Sequence, residues 1–205
     1  MKEPTALLMD FGGVLTTNVF ASFAAFCEQE GLDPQKIRDT FRDDPEARRI
    51  LRSLETGEIK DAEFEQQFGD RLGIGNSEGL IVKMFAGIGP EPLVIDAVRG
   101  VHAHGIPTCL VSNSVGGTTY DHDLLAELFD EIVISSEVGL HKPQPEIYRL
   151  AADRVETATE QCVFVDDLRE NCEGAEAVGM TAVLHRDPTV TAGRIAELFA
   201  QHRAD

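Results

Sequence analysis

From Glu91 onward, short apolar segments of strand length alternate with longer stretches whose apolar residues recur at helical spacing. This alternation is typical of βαβ units, in which a helix crosses over between two parallel strands. A similar apolar segment lies near the N-terminus, so we predict an α/β fold built on an open parallel sheet. The predicted strands are Ala6–Met9, Thr108–Val111, Glu131–Ile134, Cys162–Val165 and Thr181–Leu184.

The region between residues 16 and 87 interrupts this alternation, because it contains helical periodicity and almost no strand signal. Asp33-Pro34 and Asp44-Pro45 are typical of helix starts, and Gly31, Gly57 and Gly73 are typical of helix ends. We predict that residues 1–15 and 88–205 form the α/β core and that residues 16–87 form an inserted all-helical cap. The apolar sets at helical spacing are Val19, Phe20, Phe23, Phe26 and Cys27; Ala47, Ile50, Leu51 and Leu54; and Phe64, Phe68 and Leu72.

Charge and composition restrict the classes of partner. The chain has 205 residues with 36 acidic and 18 basic side chains, which gives a formal net charge of −18. This excess repels phosphate backbones and anionic lipid surfaces, so neither nucleic-acid nor membrane binding is expected. No apolar run approaches bilayer length, and the four cysteines lack the spacing of a metal or redox motif. We therefore expect a soluble cytoplasmic protein with reduced thiols.

Polar residues stand at the ends of the predicted strands, which is where ligands bind in open parallel sheets. Each of them alone is more typical of a turn or a helix cap than of a reaction site. Their joint placement on successive elements favours a site for an anion such as phosphate. These residues are Asp10, Ser112-Asn113, His141-Lys142-Pro143 and Asp166-Asp167, after the first, second, third and fourth strands of the chain.

Four short motifs occur in the order DFGGVLT, VSN, GLHKPQPEIY and FVDDLREN along nearly the whole chain. Together they resemble the haloacid dehalogenase-like hydrolase superfamily, and the helical insertion after the first motif is similar to that family's helical cap. The resemblance implies a Rossmann-like core and a phosphatase that works through an aspartyl-phosphate intermediate. The substrate would then be a small phosphorylated metabolite.

Residue roles follow from this resemblance together with the chemistry of phosphoryl transfer. A carboxylate can attack phosphorus in line and carry the phosphoryl group as an acyl phosphate, and Asp10 is implied as this nucleophile. Mg²⁺, which prefers hard oxygen ligands, would bring the two anions together. The implied metal ligands are Asp10, the backbone carbonyl of Gly12 and Asp166, with Asp167 next to the ion or its water shell.

Positive charge and fixed donors are needed around the transferring phosphoryl oxygens. The Ser112 hydroxyl, the Asn113 amide and the Lys142 ammonium are the implied phosphate-binding groups, and Lys142 is also implied as catalytic. Asn171 lies five residues after Asp166 on the following predicted helix, where it would orient the acidic pair.

Gly12 departs from the pattern of most phosphatases in this family, which carry a second aspartate at that position to protonate the leaving group. General acid–base assistance contributes roughly 10²–10⁴-fold, so its absence should matter most for poor leaving groups. Helical-cap members that read Asp-x-Gly include sugar-phosphate phosphatases, and the sequence looks closest to these. Thr16, Thr17 and His141 are candidates for proton transfer by their proximity to the motifs, although either threonine is more typical as the cap of the first helix.

Two alternatives stay open from the sequence. Phosphonate C–P hydrolases of the family use a cap lysine as a Schiff base, and Lys36, Lys60 and Lys83 lie in the insertion without a local motif. A slow or non-turnover phospho-accepting or phosphate-binding module would retain Asp10 without rapid hydrolysis. Apolar residues of the cap would also allow a homodimer.

Overall fold

A single parallel sheet organises the molecule. The computed structural model of the chain describes residues 3–114, 116 and 120–203. The sheet has the order β3-β2-β1-β4-β5, and every neighbouring pair is parallel. Its strands are β1 (Ala6–Met9), β2 (Thr108–Ser112), β3 (Glu131–Ile134), β4 (Cys162–Asp166) and β5 (Thr181–Leu184).

The helical region lies between β1 and the rest of the sheet. Asn18 starts its first helix, because its side-chain oxygen accepts from the N–H of Ala21; the expectation that Thr16 or Thr17 caps this helix is therefore wrong. Asp44 caps the third helix as predicted, and Gly73 ends the fourth with a φ of 77°. These helices are α1 (Val19–Gln29), α2 (Lys36–Asp43), α3 (Pro45–Glu55), α4 (Asp61–Leu72) and α5 (Leu80–Phe85).

The five helices pack around a hydrophobic cluster of their own. The rings of Phe41 and Phe64 stack on Phe68, with centroid distances of 4.7 and 5.2 Å. The buried members of this cluster all lie between residues 23 and 84, so none comes from the sheet. The division into a core of residues 1–15 and 88–205 and a cap of residues 16–87 stays a prediction.

The remaining helices cover both faces of the sheet, which explains why its strands are continuously apolar. Alternation along β1 turns Leu7 and Met9 toward α6, α7 and α11, and turns Ala6 and Leu8 toward α9 and α10. Within the described residues, no helix has both the length and the apolar character needed to span a bilayer. These helices are α6 (Pro92–Ala103), α7 (His122–Leu128), α8 (Ser135–Val138), α9 (Pro145–Arg154), α10 (Arg169–Ala177) and α11 (Pro188–Leu198).

The predicted α/β fold is confirmed, and the five predicted strands match those of the sheet closely. Two strands continue one residue further than expected, because Ser112 is in register with Ile134 and Asp166 is in register with Leu184. Two polar site residues are therefore the last members of buried strands, held by the sheet itself.

Candidate active site

The carboxyl ends of β1 and β4 bring two acids together at the centre of the sheet. Met9 lies opposite Val165 in the register of these strands, and the N–H of Asp10 donates to the carbonyl oxygen of Val165 at 2.9 Å. Asp10 and Asp166 therefore follow paired residues on adjacent strands. The chain runs outward in opposite directions from this pair of strands, and such a switch point is where open α/β sheets bind ligands.

Asp10, Asp166 and Asp167 form a cluster of carboxylates, in which one oxygen from each lies within 4.8 Å of the others. Asp10 is 8% exposed and Asp166 is fully buried. Burial raises the pKa of Asp10 to about 7 and that of Asp167 to about 6, and neighbouring carboxylates add to both shifts. The three carboxylates therefore repel one another and would be stabilised by additional positive charge.

Lys142 reaches these acids from the loop between α8 and α9. Its Nζ donates to Asp10 Oδ1 at 2.6 Å and to Asp166 Oδ2 at 2.7 Å. Burial alone would lower the pKa of Lys142, but the two carboxylates outweigh burial and raise it, so the ammonium stays charged. The aromatic ring of Phe164 lies 5.4 Å from Nζ and adds a cation–π contact.

The side chain of Asn113 holds the lysine loop against the end of β2. Asn113 Oδ1 accepts from the N–H of Lys142 at 2.8 Å, and its Nδ2 donates to the carbonyl oxygen of Lys142 at 3.1 Å. The Ser112 hydroxyl shares a hydrogen bond of 2.9 Å with the hydroxyl of Tyr120. Both side chains line the same cavity as Asp10, as the order of the motifs predicted, but each is already engaged by protein groups.

Asn171 supports the acidic cluster from α10. Its Nδ2 donates to both carboxylate oxygens of Asp166 at 3.0 Å, so the contact reaches the first acid of the pair that Asn171 was predicted to orient. The backbone oxygen of Asn171 accepts from the hydroxyl of Tyr148 at 2.8 Å. On the same helix, a Cβ at Gly174 would lie 2.9 Å from the carbonyl oxygen of Pro143, so only glycine allows this close approach to the lysine loop.

The acidic cluster fits a magnesium ion by its charge and donor type. Three carboxylates face one ammonium group, which leaves two negative charges uncompensated when all groups are ionised. Mg²⁺ takes hard oxygen ligands and is commonly held by one or two carboxylates together with water and phosphate. A divalent cation here would relieve the repulsion that, in addition to burial, raises the pKa values of Asp10 and Asp167.

The two glycines after Asp10 have different structural requirements. Gly13 has a φ of 76°, and a Cβ there would lie 2.8 Å from Asp167 Oδ2, so a side chain would displace that acid. Gly12 has no positive φ, and a Cβ would meet only Val19 Cγ2, at 3.4 Å. The backbone therefore does not exclude an acid at position 12.

The three groups suggested for proton transfer are occupied elsewhere. The Thr16 hydroxyl accepts from the N–H of Gly13 and donates to the Thr17 carbonyl. The Thr17 hydroxyl accepts from the N–H of Gly89, and His141 Nδ1 contacts the Lys142 carbonyl. Thr16 lines the cavity, but neither Thr17 nor His141 does.

A cavity of about 510 Å³ lies between the acidic cluster and helices α1 to α5. Most of its wall is apolar, and Glu55 at the end of α3 is the acidic residue that the helical region adds to its lining. Sequence reasoning missed both features. The available signal was the surplus of apolar residues in α1 and α5, such as Phe20 and Val82, which are 39% and 60% exposed.

Comparison with known proteins decides the family. A family model described as haloacid dehalogenase-like hydrolase matches residues 4–179. The chain is a haloacid dehalogenase-like hydrolase. The resemblance inferred from its four motifs is thus confirmed.

Relatives of this hydrolase include phosphatases of different kinds. It is 26% identical to the sesquiterpene phosphatase astK of Aspergillus oryzae over 154 residues, which cover 71% of this chain and 76% of that protein. It is 31% identical to the glyceraldehyde 3-phosphate phosphatase of Methanopyrus kandleri over 48% of this chain and 44% of that protein. It is also 31% identical to rat bifunctional epoxide hydrolase 2 over 112 residues. These residues are 51% of this chain but only 20% of that protein, so the chain corresponds to a small part of that relative.

Solved structures share the fold of this hydrolase at low sequence identity. A HAD family enzyme from Bacteroides thetaiotaomicron aligns with a TM-score of 0.69 at 20% identity, covering 90% of this chain and 95% of that one. A mutant of that enzyme, solved in complex with magnesium and inorganic phosphate, aligns with a TM-score of 0.66 at 19% identity, covering 89% of this chain and 94% of that one.

Proposed function

We propose that this hydrolase is a Mg²⁺-dependent phosphatase that cleaves a phosphomonoester through a covalent intermediate on Asp10. The observation that carries the proposal is the cluster of three carboxylates with the Lys142 ammonium between two of them, at the switch point of the sheet. Asp10 lines the cavity with a side chain that is 11% exposed, whereas the side chain of Asp166, the other acid that contacts Lys142, is fully buried.

The proposed reaction has two displacements at phosphorus. In the first, an oxygen of Asp10 forms a bond to phosphorus while the bond from phosphorus to the ester oxygen breaks, and that oxygen takes up one proton and leaves as the alcohol. In the second, water attacks phosphorus and gives up one proton, the bond to Asp10 breaks, and inorganic phosphate leaves.

Charge on the transferring group has to be balanced by groups around the acids. When bound, Mg²⁺ would supply Lewis-acid stabilisation of the phosphoryl oxygens, with Asp10, Asp166, Asp167 and the Gly12 carbonyl as its proposed ligands. Lys142 adds a fixed positive charge, and Ser112 and Asn113 add donors when substrate displaces their present partners. Asn171, which donates to both oxygens of Asp166, would hold that carboxylate in place for the ion.

The relatives support hydrolysis of a phosphate ester over the two alternatives. Two of them are named as phosphatases, and the mutant HAD family enzyme from Bacteroides thetaiotaomicron binds magnesium and phosphate. A C–P hydrolase would need a cap lysine in the cavity, yet Lys142 from the core is the lysine that lines it, whereas Lys36, Lys60 and Lys83 do not. A sesquiterpene and a glyceraldehyde ester differ greatly in polarity, so these names do not select a substrate class.

Hydrolysis of para-nitrophenyl phosphate by the purified protein tests the proposal. We expect repeated turnover with Mg²⁺ and loss of at least 10²-fold in EDTA, on the order of what a bound metal contributes, with activity regained when Mg²⁺ is returned. Release of one equivalent of nitrophenol without further turnover would instead identify the phospho-accepting module. Full activity in EDTA would contradict the metal assignment.

A further inference from the structure

The cavity above the acidic cluster separates polar from apolar surface. Its polar lining is concentrated at the strand ends, while the facing wall comes from α1 to α5. Five phenylalanines contribute to that wall, together with aliphatic side chains from the same helices. They are Phe20, Phe23, Phe41, Phe64 and Phe85.

The wall offers few groups that a sugar or a second anion could use. Thr16 and Glu55 are polar side chains outside the strand-end cluster. The Thr16 hydroxyl is already bonded to Gly13 and Thr17, and Glu55 lies at the end of α3, which is held against the strand ends. No arginine in the described part of the chain lines the cavity; Arg42 and Arg49 of the helical region instead pair with neighbouring acids. A hydroxyl buried against this wall without a partner would lose its hydrogen bonds to water, which is costly.

The cavity is large enough for an extended apolar group. Its volume of about 510 Å³ falls within the roughly 300–1,000 Å³ of small-molecule sites. Phe20 and Val82, which line it, are also the exposed apolar residues of α1 and α5. Apolar surface therefore continues from the buried wall to the solvent, as expected at the entrance for an apolar group.

We propose that the substrate is the phosphomonoester of an apolar alcohol, with its phosphate at the acidic cluster and its hydrocarbon part against the wall of α1 to α5. This inference rests on the proposed phosphatase function and adds its substrate class. It replaces the sugar phosphate suggested by the Asp-x-Gly motif as the preferred substrate.

A series of linear alkyl phosphates, from butyl to decyl and below their micellar concentrations, tests this specificity beside a hexose phosphate. We expect kcat/KM to rise about threefold to fourfold per added methylene until the cavity is filled, and the hexose phosphate to be the poorest substrate. A flat series, or preference for the hexose phosphate, would overturn the apolar specificity while the turnover itself upheld the phosphatase. No turnover of any ester, including para-nitrophenyl phosphate, would overturn both.

A pair of matched valine variants examines the wall directly. Val82→Asn places an amide at the entrance, whereas Val190→Asn makes the same change on α11, where the side chain is 70% exposed and outside the cavity. We expect Val82→Asn to raise KM for decyl phosphate at least threefold, roughly the effect of one or two methylenes, and to leave butyl phosphate nearly unchanged. Equal effects of the two variants would contradict the inference.

Glu55 carries a second, independent inference about the same site. The Ser135 hydroxyl at the end of β3 donates to the backbone oxygen of Glu55, and its oxygen accepts from the N–H of Ser114 at 2.8 Å. Just beyond, Gly57 has a φ of 75°, and a Cβ there would lie 2.9 Å from the carbonyl oxygen of Ser136. These contacts hold the end of α3 against the strand ends.

Glu55 lines the cavity together with Asp10 and Lys142. Among the described residues, no hydrogen bond or ion pair to the Glu55 carboxyl group is found. Burial raises the pKa of Glu55 to about 7, against the opposing effect of Lys142 and Arg52 and with smaller contributions from Glu170 and Asp10. The group thus changes protonation near neutral pH, which suits a general acid and base.

We propose that Glu55 performs the proton transfer for which Gly12 has no carboxylate. In the first displacement, the Glu55 carboxyl gives its proton to the ester oxygen as that oxygen leaves phosphorus. In the second, the resulting carboxylate takes a proton from the attacking water. This step rests on the proposed phosphatase function, because it needs an alcohol leaving group.

Replacement of Glu55 by glutamine is expected to act differently on good and poor leaving groups. For alkyl phosphates kcat/KM should fall about 10²-fold, whereas for para-nitrophenyl phosphate it should fall less than tenfold, since nitrophenolate leaves without a proton. The wild-type kcat/KM for alkyl esters should also decline above about pH 7, the pKa of Glu55, and Glu55→Gln should remove this decline.

Rescue at position 12 separates proton transfer from a structural effect. Gly12→Asp in the Glu55→Gln background should restore at least tenfold of the lost activity on alkyl esters, on the order of general-acid assistance, because a side chain fits at position 12. Glu63→Gln, at an exposed site on α4, is the matched control and should behave as wild type. Equal losses for both esters, or no loss for either, would overturn the assignment, while failure of the proposed function would abolish turnover in the wild type as well.

Discussion

Replacing Asp10 by asparagine should reduce phosphatase activity on the order of 10³-fold or more, because the amide cannot form the acyl phosphate. Because Asp10 is the proposed nucleophile, we expect nitrophenol release to be lost in the first turnover as well as in the steady state. The measurement is a rapid-quench time course with para-nitrophenyl phosphate and Mg²⁺, using Asp70→Asn as control, since Asp70 lies exposed on α4.

The stability of this variant should remain intact, which separates chemistry from folding. Asparagine keeps the shape of the side chain and an oxygen that can accept from Lys142 Nζ. Burial already raises the pKa of Asp10 to about 7, so the native state holds the charged carboxylate at a cost that asparagine removes. We therefore expect an unfolding free energy equal to or above that of wild type in urea. Retention of activity within tenfold of wild type would contradict the assignment of Asp10.

Replacing Lys142 by methionine should lower the unfolding free energy by about 3–5 kcal/mol in EDTA, the usual cost of leaving a buried charge without its partner. The lysine side chain is 1% exposed and contacts Asp10 and Asp166, which would be left facing each other. Urea unfolding followed by circular dichroism measures this loss. Lys83→Met on the surface of α5 should change the unfolding free energy by less than about 0.5 kcal/mol.

The pH dependence of the loss has a definite sign. Without Lys142, the native state gains more by binding a proton at Asp10 than the unfolded chain does, so its stability falls as pH rises. Removing Lys142 raises the pKa of Asp10 further, so the deficit of Lys142→Met should shrink as pH falls toward about 7, the pKa of Asp10 in the presence of the lysine, and Asp10 should change it little below that pH. Mg²⁺ should also stabilise the variant more than wild type. A deficit under about 1 kcal/mol at every pH would show that the pair contributes little.

These expectations rest on features that can be recognised in the amino-acid sequence. The apolar runs of β1 to β5 and the helical periodicity between them predict a parallel sheet, because only such a sheet buries both faces of every strand. Parallel strands then place their carboxyl ends at one edge. The order of the motifs was therefore enough to predict that Asp10, Lys142 and Asp166 would lie near one another.

The order of the strands in the sheet, and the partners that particular side chains contact, depend on tertiary structure. Pairing of β1 with β4 makes Asp10 and Asp166 neighbours, and no local pattern in either strand states which strand lies beside it. Asn113 is an example at the level of one residue, since its amide engages the backbone of Lys142, 29 positions away. An asparagine at the end of a predicted strand indicates a hydrogen-bond donor, but the sequence does not show which group accepts from it.

The cavity and Glu55 show the same limit most clearly. Phe23 and Phe64 have the helical spacing of core residues and are indeed buried, yet they also line a space that the five helices leave unfilled. In the sequence, Glu55 is a charged residue at the end of a predicted helix and carries no sign of a functional role. It lies near the strand ends because α3 contacts Ser135 in the folded chain. Helical periodicity predicts which face of one helix is buried. A cavity depends on how the buried faces of several helices pack against one another, so the surroundings of the substrate cannot be predicted from the sequence.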